Sequence, residues 1–307
     1  MQRITFLDAS TLGGVDLDPL SEFGELDIHA VTTPGETAAR LQDATIAITN
    51  KVVIDAGVMA AAKNLQLICI AATGTNCVDL EAAKMAGIPV CNVAGYSTAG
   101  VTQHTLGLLI NLATSIHRYA AEACEWPHSP IFTRLDHPIV DLAGKTLGIV
   151  GLGTIGRSVA TAASALGMNV IALAREGASE GAIPRVARDD FFSQSDAVTL
   201  HCPLTPETQN LINRGTLGLM KPSAFLINTG RGDLINEQDL AQALKSQTIA
   251  GAALDVLTQE PPRADHVLFA DDIPNLIITP HTAWASIESR HRLLDGIVGN
   301  IRGFLQG

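Results

Sequence analysis

The chain has 307 residues, of which 47% are hydrophobic, 4% aromatic and 17% charged. A composition this apolar excludes an intrinsically disordered chain, and the length predicts two domains whose cores are aliphatic rather than aromatic. The formal net charge of −11 disfavours nucleic-acid binding, because an acidic surface repels a phosphodiester backbone.

Five cysteines are widely spaced and include no CxxC pair, a pattern typical of reduced thiols in a cytoplasmic protein. The nine histidines show none of the spacings typical of metal ligands, so we predict no metal site. The N-terminus has no signal-peptide pattern, and no apolar run approaches the ~18 residues of a membrane span. We therefore expect a cytoplasmic protein that binds neither nucleic acid nor a membrane.

Short apolar runs alternate with helical patterns over about residues 1–95. Five runs predict strands, namely Ile4–Leu7, Asp27–Ala30, Thr45–Ile48, Leu67–Ala71 and Pro89–Cys91. Three segments between them predict helices, namely Thr37–Leu41, Asp55–Ala62 and Asp79–Met85. Alternation of this kind predicts a parallel sheet covered by helices.

A long helical pattern runs from about Ala99 to Ala121, and an irregular stretch follows from Cys124 to Pro138. An irregular stretch of this length is uncommon inside a compact domain and usually has a functional role. We expect a loop or arm that packs on a partner chain.

A second α/β unit begins at Lys145. Its predicted strands are Thr146–Val150, Asn169–Ala174, Ala197–Leu200, Ser223–Asn228, Ile249–Leu254 and Asn275–Thr279. A helix is predicted over Thr154–Leu166, directly after the first of these strands, and another over Ser286–Leu305 at the end of the chain. The pattern again predicts a doubly wound parallel sheet.

A glycine-rich turn joins the first strand and helix of this second unit, in the sequence Gly-Ile-Val-Gly-Leu-Gly-Thr-Ile-Gly of residues 148–156. Gly151 permits a tight turn, Gly153 permits close approach of a pyrophosphate, and Gly156 permits close packing of helix on strand. The helix N-terminus, at Thr154 and Ile155, offers free N–H groups to an anion. In this strand–turn–helix context the motif predicts a dinucleotide site.

The end of the next strand bears on the choice of dinucleotide. A carboxylate that binds the ribose 2′-hydroxyl of NAD is expected there, but the position is occupied by Ala174 and followed by Arg175. A guanidinium beside an uncharged residue suits a 2′-phosphate. NADP(H) is therefore favoured, with NAD(H) as the alternative because Glu176 adjoins Arg175.

Isolated polar residues follow three later strands. Arg231 lies between two glycines after one strand, Glu260 follows the next, and His281 ends the third. Each alone has an ordinary reading as a loop or capping residue. Their shared position after strands of one nucleotide-binding unit indicates a catalytic group, because ligands of α/β sheets bind at the carboxyl ends of the strands.

With these segments in place, the chain resembles the D-isomer-specific 2-hydroxyacid dehydrogenase family over nearly its whole length. The segments that carry the resemblance are Gly151–Gly156, His201–Thr208, Ile227–Gly232, Ala253–Pro262 and Ile278–His281. Gly95–Thr98, Gln103-His104 and His281–Trp284 are most similar to the glycerate dehydrogenase, or hydroxypyruvate and glyoxylate reductase, branch. The resemblance implies hydride transfer between NAD(P)H and a small 2-keto acid, giving a D-2-hydroxy acid.

The resemblance also implies roles for individual residues. His281 is the acid that protonates the substrate carbonyl oxygen, and Glu260 favours the protonated form of His281. Arg231 binds the substrate carboxylate, whose other side is held by backbone N–H groups around Thr73 and Gly74. Besides the glycine-rich turn, further positions match cofactor contacts, namely Cys202, Pro203, Thr208, Thr229, Gly230 and Asp255.

The family layout implies two Rossmann-like or flavodoxin-like domains, with the nucleotide-binding domain inserted into the substrate domain. Residues 1–98 and 286–307 would form the substrate domain, and residues 99–285 the NAD(P)-binding domain. The long helix and an arm at about residues 121–141 resemble the family's dimer contact, so we expect a homodimer.

Other activities on the same scaffold stay open at this point. Formate-type dehydrogenases resemble the family but lack a glutamate equivalent to Glu260, which argues against that class. A D-lactate dehydrogenase, a short phosphoglycerate dehydrogenase and a non-catalytic nucleotide sensor could each retain Arg231, Glu260 and His281.

Overall fold

The structure is a computed structural model, and it describes residues 2–174 and 181–307. The chain forms two compact units. One consists of Met1–Ser97 together with Ala285–Gly307, and the other of Thr98–Trp284. Assigning substrate to residues 1–98 with 286–307 and cofactor to residues 99–285 remains a prediction.

The first unit is built on a five-stranded parallel sheet. Its strands are β1 (Gln2–Phe6), β2 (Gly24–Ile28), β3 (Ile46–Thr49), β4 (Leu67–Ile70) and β5 (Val90–Asn92), in the spatial order β2-β1-β3-β4-β5. Every residue of β3 and β4 is buried, as expected for central parallel strands covered on both faces. The order reverses between β1 and β3, as in flavodoxin-like folds.

Three helices lie between these strands, namely α1 (Thr37–Leu41), α2 (Ala56–Ala61) and α3 (Leu80–Met85). Two short 3₁₀ helices, Ala9–Leu12 and Asp18–Phe23, follow β1. The side chains of Asp55 and Asp79 cap α2 and α3 by accepting hydrogen bonds from the backbone N–H groups of Val58 and Ala82. The caps explain why both helices begin where they do.

The second unit contains a seven-stranded parallel sheet. Its strands are β6 (Thr146–Val150), β7 (Asn169–Leu173), β8 (Arg185–Val186), β9 (Ala197–Leu200), β10 (Phe225–Asn228), β11 (Gly251–Leu254) and β12 (Leu276–Ile278). The spatial order is β12-β11-β10-β9-β6-β7-β8, so the direction of winding reverses between β6 and β9. Such a switch point opens a crevice at the carboxyl ends of the strands, where ligands of α/β folds bind.

Helices cover this second sheet. They are α4 (Thr98–Thr114), α5 (Ile116–Ala121), α6 (Thr154–Ala165), α7 (Arg188–Gln194), α8 (Arg214–Leu219) and α9 (Glu237–Lys245), with 3₁₀ helices at Ala123–His128, Gly232–Leu234 and Val267–Phe269. α4 packs on α6, β10 and β11 through a buried cluster that includes Leu109 and Leu112. The prediction of two doubly wound parallel sheets is confirmed.

The structure differs from the predicted elements at β2, expected over Asp27–Ala30 but formed by Gly24–Ile28, and at α7, α8 and α9, for which no helix was predicted. Two further differences have an identifiable cause. The long helix expected from Ala99 to Ala121 breaks at Ser115, whose φ of 53° is left-handed and whose hydroxyl donates to the carbonyl of Pro138 at 2.9 Å. A short strand, β8, forms where none was predicted, and it pairs with β7. Both differences depend on contacts with distant residues, which local periodicity does not encode.

The predicted arm contains one 3₁₀ helix and otherwise no regular secondary structure. Its large apolar side chains are exposed, with Trp126 at 59%, Phe132 at 89% and Leu135 at 75%. The Trp126 Nε1–H donates to the carbonyl of Phe132 at 3.1 Å, so the arm folds on itself. Within the described residues, no helix combines the length and apolarity that crossing a membrane requires.

The last helix, α10 (Ile287–Gln306), packs on β4 and β5 of the first unit. Leu293, Ile297 and Ile301 are fully buried on its inner face, while Ile287 in its first turn is 62% exposed. The C-terminal segment therefore completes the core of the unit that the N-terminal segment begins.

We expect Ile297→Ala to lower the free energy of unfolding by about 2–5 kcal/mol, because it removes buried methyl groups and leaves a cavity. Ile287→Ala is the matched control on the same helix and should change stability by less than about 0.5 kcal/mol. Urea unfolding followed by circular dichroism measures both. Equal effects of the two substitutions would show that α10 does not contribute to this core.

Candidate active site

The candidate site lies at the carboxyl edge of the seven-stranded sheet. Because its strands are parallel, the loops after β6, β9, β10, β11 and β12 all leave from that edge. These loops contain the glycine-rich turn, Cys202, Arg231, Glu260 and His281 respectively. The topology therefore brings together residues that are far apart in sequence.

The three glycines of the turn have different surroundings. Gly151 has a φ of +97°, and a Cβ there would lie 2.7 Å from the backbone N of Cys202. A Cβ on Gly156 would overlap the Gly151 carbonyl oxygen, whereas one on Gly153 would meet no protein atom within 4 Å. Gly151 and Gly156 are thus required by the protein's own packing, and the space above Gly153 is open to a ligand.

α6 begins immediately after this turn, with Gly153 as its N-cap and no side chain capping its first N–H groups. Thr154 and Gly153 are exposed, Ile155 is half-buried and Gly156 is buried. Uncapped N–H groups at a helix N-terminus carry partial positive charge and bind phosphate oxygens. The residues present therefore fit the pyrophosphate of a dinucleotide.

The residues after β9 border the same turn. Cys202 is half-buried, and burial raises the pKa of its thiol. Burial also lowers the pKa of the neighbouring His201 to about 4, so this imidazole is neutral at neutral pH. The hydroxyl of Thr208 donates to the Pro203 carbonyl at 2.8 Å and thereby closes the loop. No cationic or thiolate charge from these residues stands beside the glycine-rich turn.

The loop after β10 is held by Asn228, the last residue of that strand. Its buried side chain accepts from Gly230 N at 2.9 Å and donates to the carbonyl of Arg231 at 2.8 Å. The hydroxyl of Thr229 lies 3.1 Å from that of Thr105 on α4. Asn228 was not among the residues predicted from the sequence, although a polar residue at the end of an apolar buried strand is a detectable signal.

Arg231 lies on the exposed side of this loop. Its Nη1 donates to the Gly230 carbonyl at 2.8 Å, which orients the guanidinium. A Cβ on the next residue, Gly232, would overlap the backbone of Leu257 and Thr258. The Arg231 loop is therefore packed directly on the segment that leads to Glu260.

Glu260 and His281 are in direct contact. Glu260 Oε2 lies 2.6 Å from His281 Nδ1, and Glu260 Oε1 accepts from Leu257 N at 3.0 Å. A short contact between a carboxylate and an imidazole is typical of a charge-assisted hydrogen bond. With Nδ1 engaged by Glu260, Nε2 is the nitrogen that remains to exchange a proton with a substrate.

His281 adopts a left-handed conformation, with φ of 54°. Such backbone is strained for a residue with a side chain and persists only where surrounding contacts fix it. Here the His281 N–H donates to the carbonyls of Asp255 and Thr279, both at 2.9 Å. The turn is therefore specified by its neighbours.

The buried carboxylate of Asp255 also binds the turn that contains His281. It is 1% exposed and accepts from the Thr279 hydroxyl at 2.5 Å and from the backbone N–H groups of Thr282 and Ala283 at 2.9 Å. His104 Nε2 lies 3.0 Å from the Thr279 hydroxyl and 3.4 Å from Asp255 Oδ1. All these observed contacts serve the turn that contains His281, and the assignment of Asp255 as a cofactor contact stays a prediction.

Thr73, Gly74 and Arg175 are the remaining predicted site residues. Thr73 and Gly74 belong to the other compact unit, where they follow β4 and where the Thr73 hydroxyl donates to the Val93 carbonyl at 3.0 Å. Arg175, predicted to bind a 2′-phosphate, lies outside the described residues, which on that side end at Ala174. Among residues 2–174 and 181–307, no three His, Cys, Asp or Glu side chains are grouped so that they could hold a metal ion.

Residues 106–283 match the model of the family described as D-isomer specific 2-hydroxyacid dehydrogenase, NAD binding domain. The chain is 42% identical to a glycerate dehydrogenase of Methylorubrum extorquens, over 100% of this chain and 97% of that protein. It is 39% identical to a hydroxypyruvate reductase of Blautia hydrogenotrophica, over 99% and 97%. The crystal structure of the TT0316 protein from Thermus thermophilus superposes with a TM-score of 0.89 at 36% identity, covering 100% of this chain and 97% of that one.

The glycine surroundings predict a contrast between two substitutions. Gly153→Ala should leave the free energy of unfolding within about 0.5 kcal/mol of wild type, because the added methyl meets no protein atom. It should weaken dinucleotide binding at least about tenfold, since the methyl would fill the space in which the glycine-rich turn predicts a pyrophosphate. Gly156→Ala should instead cost about 1–3 kcal/mol of stability through overpacking. Urea unfolding measures the stability of the two variants, and calorimetric titration with NADPH and NADH measures their affinity for the dinucleotide. Unchanged affinity in Gly153→Ala would place the dinucleotide elsewhere.

Proposed function

The chain belongs to the D-isomer specific 2-hydroxyacid dehydrogenase family, and we propose that its substrates are small 2-keto acids such as hydroxypyruvate and glyoxylate. Its reaction class is hydride transfer between a nicotinamide cofactor and a 2-hydroxy or 2-keto acid. The observation that carries the proposal is the 2.6 Å contact of Glu260 with His281 at the edge that also holds the glycine-rich turn. The names of the two relatives, glycerate dehydrogenase and hydroxypyruvate reductase, support this choice of substrate.

In the proposed mechanism His281 donates a proton from Nε2 to the carbonyl oxygen as negative charge develops there. Glu260 holds Nδ1 and compensates the positive charge of the imidazolium before transfer. A positioned proton donor of this kind contributes roughly 10²–10⁴ to a rate. In the oxidative direction, neutral His281 takes the proton of the hydroxyl group back at Nε2.

Arg231 supplies the fixed positive charge in this proposal. Its exposed guanidinium binds the substrate carboxylate and polarises the adjacent carbonyl, which stabilises the developing alkoxide. Thr73 and Gly74, in the other unit, stay further carboxylate contacts that the resemblance implies. Arg231 orients the keto acid so that its carbonyl oxygen faces His281.

The cofactor, when bound, supplies or accepts the hydride at its nicotinamide ring. We propose that its pyrophosphate binds over Gly153 at the N-terminus of α6, where N–H groups are uncapped. The loops after β9, β10 and β11 offer the remaining contacts through a set of residues predicted from the sequence, namely Cys202, Pro203, Thr208, Thr229, Gly230 and Asp255.

We further propose that NADP(H) is preferred over NAD(H). The position after β7 where a carboxylate would bind the ribose hydroxyls is Ala174, and the sequence places Arg175 next to it.

With hydroxypyruvate as substrate, kcat/KM for NADPH should exceed that for NADH at least about tenfold, a difference of about 1.4 kcal/mol. A preference for NADH would overturn the cofactor proposal. If neither NADPH nor NADH is oxidised in the presence of hydroxypyruvate, glyoxylate or pyruvate, the proposed substrate class is overturned.

His281→Ala should lower kcat at least about 100-fold, because it removes the proton donor. The Kd for NADPH should change less than about twofold, since the dinucleotide contacts lie on other loops. His291→Ala, at an exposed histidine on α10, is the control and should leave kcat unchanged. Near-normal turnover in His281→Ala would remove His281 from the role of acid.

We also propose that the protein is a homodimer whose arm, about residues 121–141, packs on a second copy. Five large apolar side chains of that segment are at least half exposed, namely Trp126, Ile131, Phe132, Leu135 and Ile139. An apolar surface of this kind is typical of an interface between subunits.

A further inference from the structure

A second carboxylate–imidazole pair, Glu237 and His266, contacts the backbone segment that leads to Glu260. Glu237 is the first residue of α9, and His266 precedes the 3₁₀ helix Val267–Phe269. Glu237 Oε2 lies 3.1 Å from His266 Nε2, with only 13% and 12% of the two side chains exposed. The resemblance that identified Arg231, Glu260 and His281 assigned no role to either residue.

The pair holds the backbone that positions Glu260. Glu237 Oε1 accepts from Thr258 N at 2.8 Å, and the preceding N–H, that of Leu257, donates to Glu260 Oε1 at 3.0 Å. Two consecutive backbone N–H groups are therefore bound by two different glutamates. A shift of this short segment would move Glu260 relative to His281.

The same segment also contacts the Arg231 loop. The backbone of Gly232 lies so close to Leu257 and Thr258 that a Cβ on Gly232 would overlap them. The Leu257–Thr258 peptide is thus held between the Arg231–Gly232 backbone on one side and the Glu237 carboxylate on the other. Displacement of the peptide would disturb Arg231 and Glu260 together.

The hydrogen bonds fix the tautomer of His266. Its Nδ1 accepts from Leu268 N at 3.3 Å, so the proton of the neutral ring lies on Nε2 and is donated to Glu237. Glu237 serves Thr258 N and His266 Nε2–H with different oxygens, so a glutamine at position 237 would turn an NH2 donor towards one of these two donors and lose that hydrogen bond. Moving the proton to Nδ1 would place two donors opposite each other at Leu268, and turning the ring over would replace the acceptor nitrogen there by a carbon.

We propose that Glu237 and His266 are positioning residues that set the Glu260–His281 contact and its spacing from Arg231 in the keto-acid reduction proposed above. Neither residue needs to touch the substrate. Their effect on rate follows from geometry, because a displacement of about 1 Å in a catalytic group can cost 10²-fold.

The first test measures steady-state kinetics with hydroxypyruvate and NADPH. Glu237→Gln and His266→Leu should lower kcat about 10- to 100-fold while KM for NADPH changes less than about twofold. His266→Gln, which keeps a side-chain N–H donor, should recover most of the loss. Glu81→Gln makes the same substitution at an exposed residue in the first turn of α3 and should have no effect.

The second test needs no turnover. A short hydrogen bond between imidazole and carboxylate shifts its proton to low field in a nuclear magnetic resonance spectrum, and the His281 Nδ1 proton is identified by its loss in His281→Ala. The resonance should be present in wild type and Glu81→Gln, and should be lost or broadened in Glu237→Gln and His266→Leu.

Two outcomes separate this proposal from the proposed function. If Glu237→Gln and His266→Leu lower the melting temperature but keep the resonance and the wild-type kcat, the pair is merely structural and the proposal is overturned. If wild type turns over no 2-keto acid, the substrate proposal fails, and the resonance alone then decides whether the pair positions Glu260.

Discussion

The buried carboxylate of Asp255 is the group on which the turn that contains His281, in the candidate site, depends. Removing a carboxylate from water costs several kcal/mol unless hydrogen bonds replace its hydration. Here those bonds come from the Thr279 hydroxyl and from the N–H groups of Thr282 and Ala283, on both sides of His281 in the chain. The energetic demand of one buried charge therefore fixes the left-handed turn that presents His281 to Glu260.

The first unit contains a similar arrangement. Asp8, two residues beyond β1, is 5% exposed and accepts from the backbone N–H groups of Asn50 and Lys51, which follow the neighbouring strand β3. Burial raises the pKa of Asp8, while the donated N–H groups oppose that rise. In both units a carboxylate after one strand binds the loop after an adjacent strand. Loops at the carboxyl edge of a parallel sheet are not paired by the ladder, so such a contact gives them the order that a binding site requires.

Much of the fold could be predicted from the sequence because central parallel strands are short, fully buried and mostly apolar runs, as in β3, β9 and β10. The break at Ser115 could not, since it depends on a hydrogen bond to Pro138, far away in the chain. Arg231, Glu260 and His281 were predicted from motifs placed after strands, and the structure brings Glu260 into contact with His281. Those motifs do not show which neighbours hold these residues in place.

Glu237 and His266 illustrate what sequence patterns leave out. Each has an ordinary explanation in the sequence, as a helix start and a loop residue. In three dimensions Glu237 binds the backbone N–H of Thr258, in the segment that leads to Glu260, and His266 pairs with Glu237. A polar residue that satisfies a distant backbone N–H has no characteristic spacing, so periodicity cannot detect it.

Apolar and polar buried side chains occupy different parts of the two units. Away from the loop edges the cores contain mostly aliphatic side chains and alanine, which suits sheets covered on both faces. In the second unit, Asp255 and Asn228 are buried polar groups at the carboxyl ends of β11 and β10, where catalysis needs fixed geometry. A buried polar group stabilises one arrangement of its donors and penalises every other arrangement that leaves it unpaired. Placing such groups beneath the loops favours one arrangement of the loops at the candidate site, while the aliphatic interior contributes the hydrophobic stabilisation that offsets the cost of burying them.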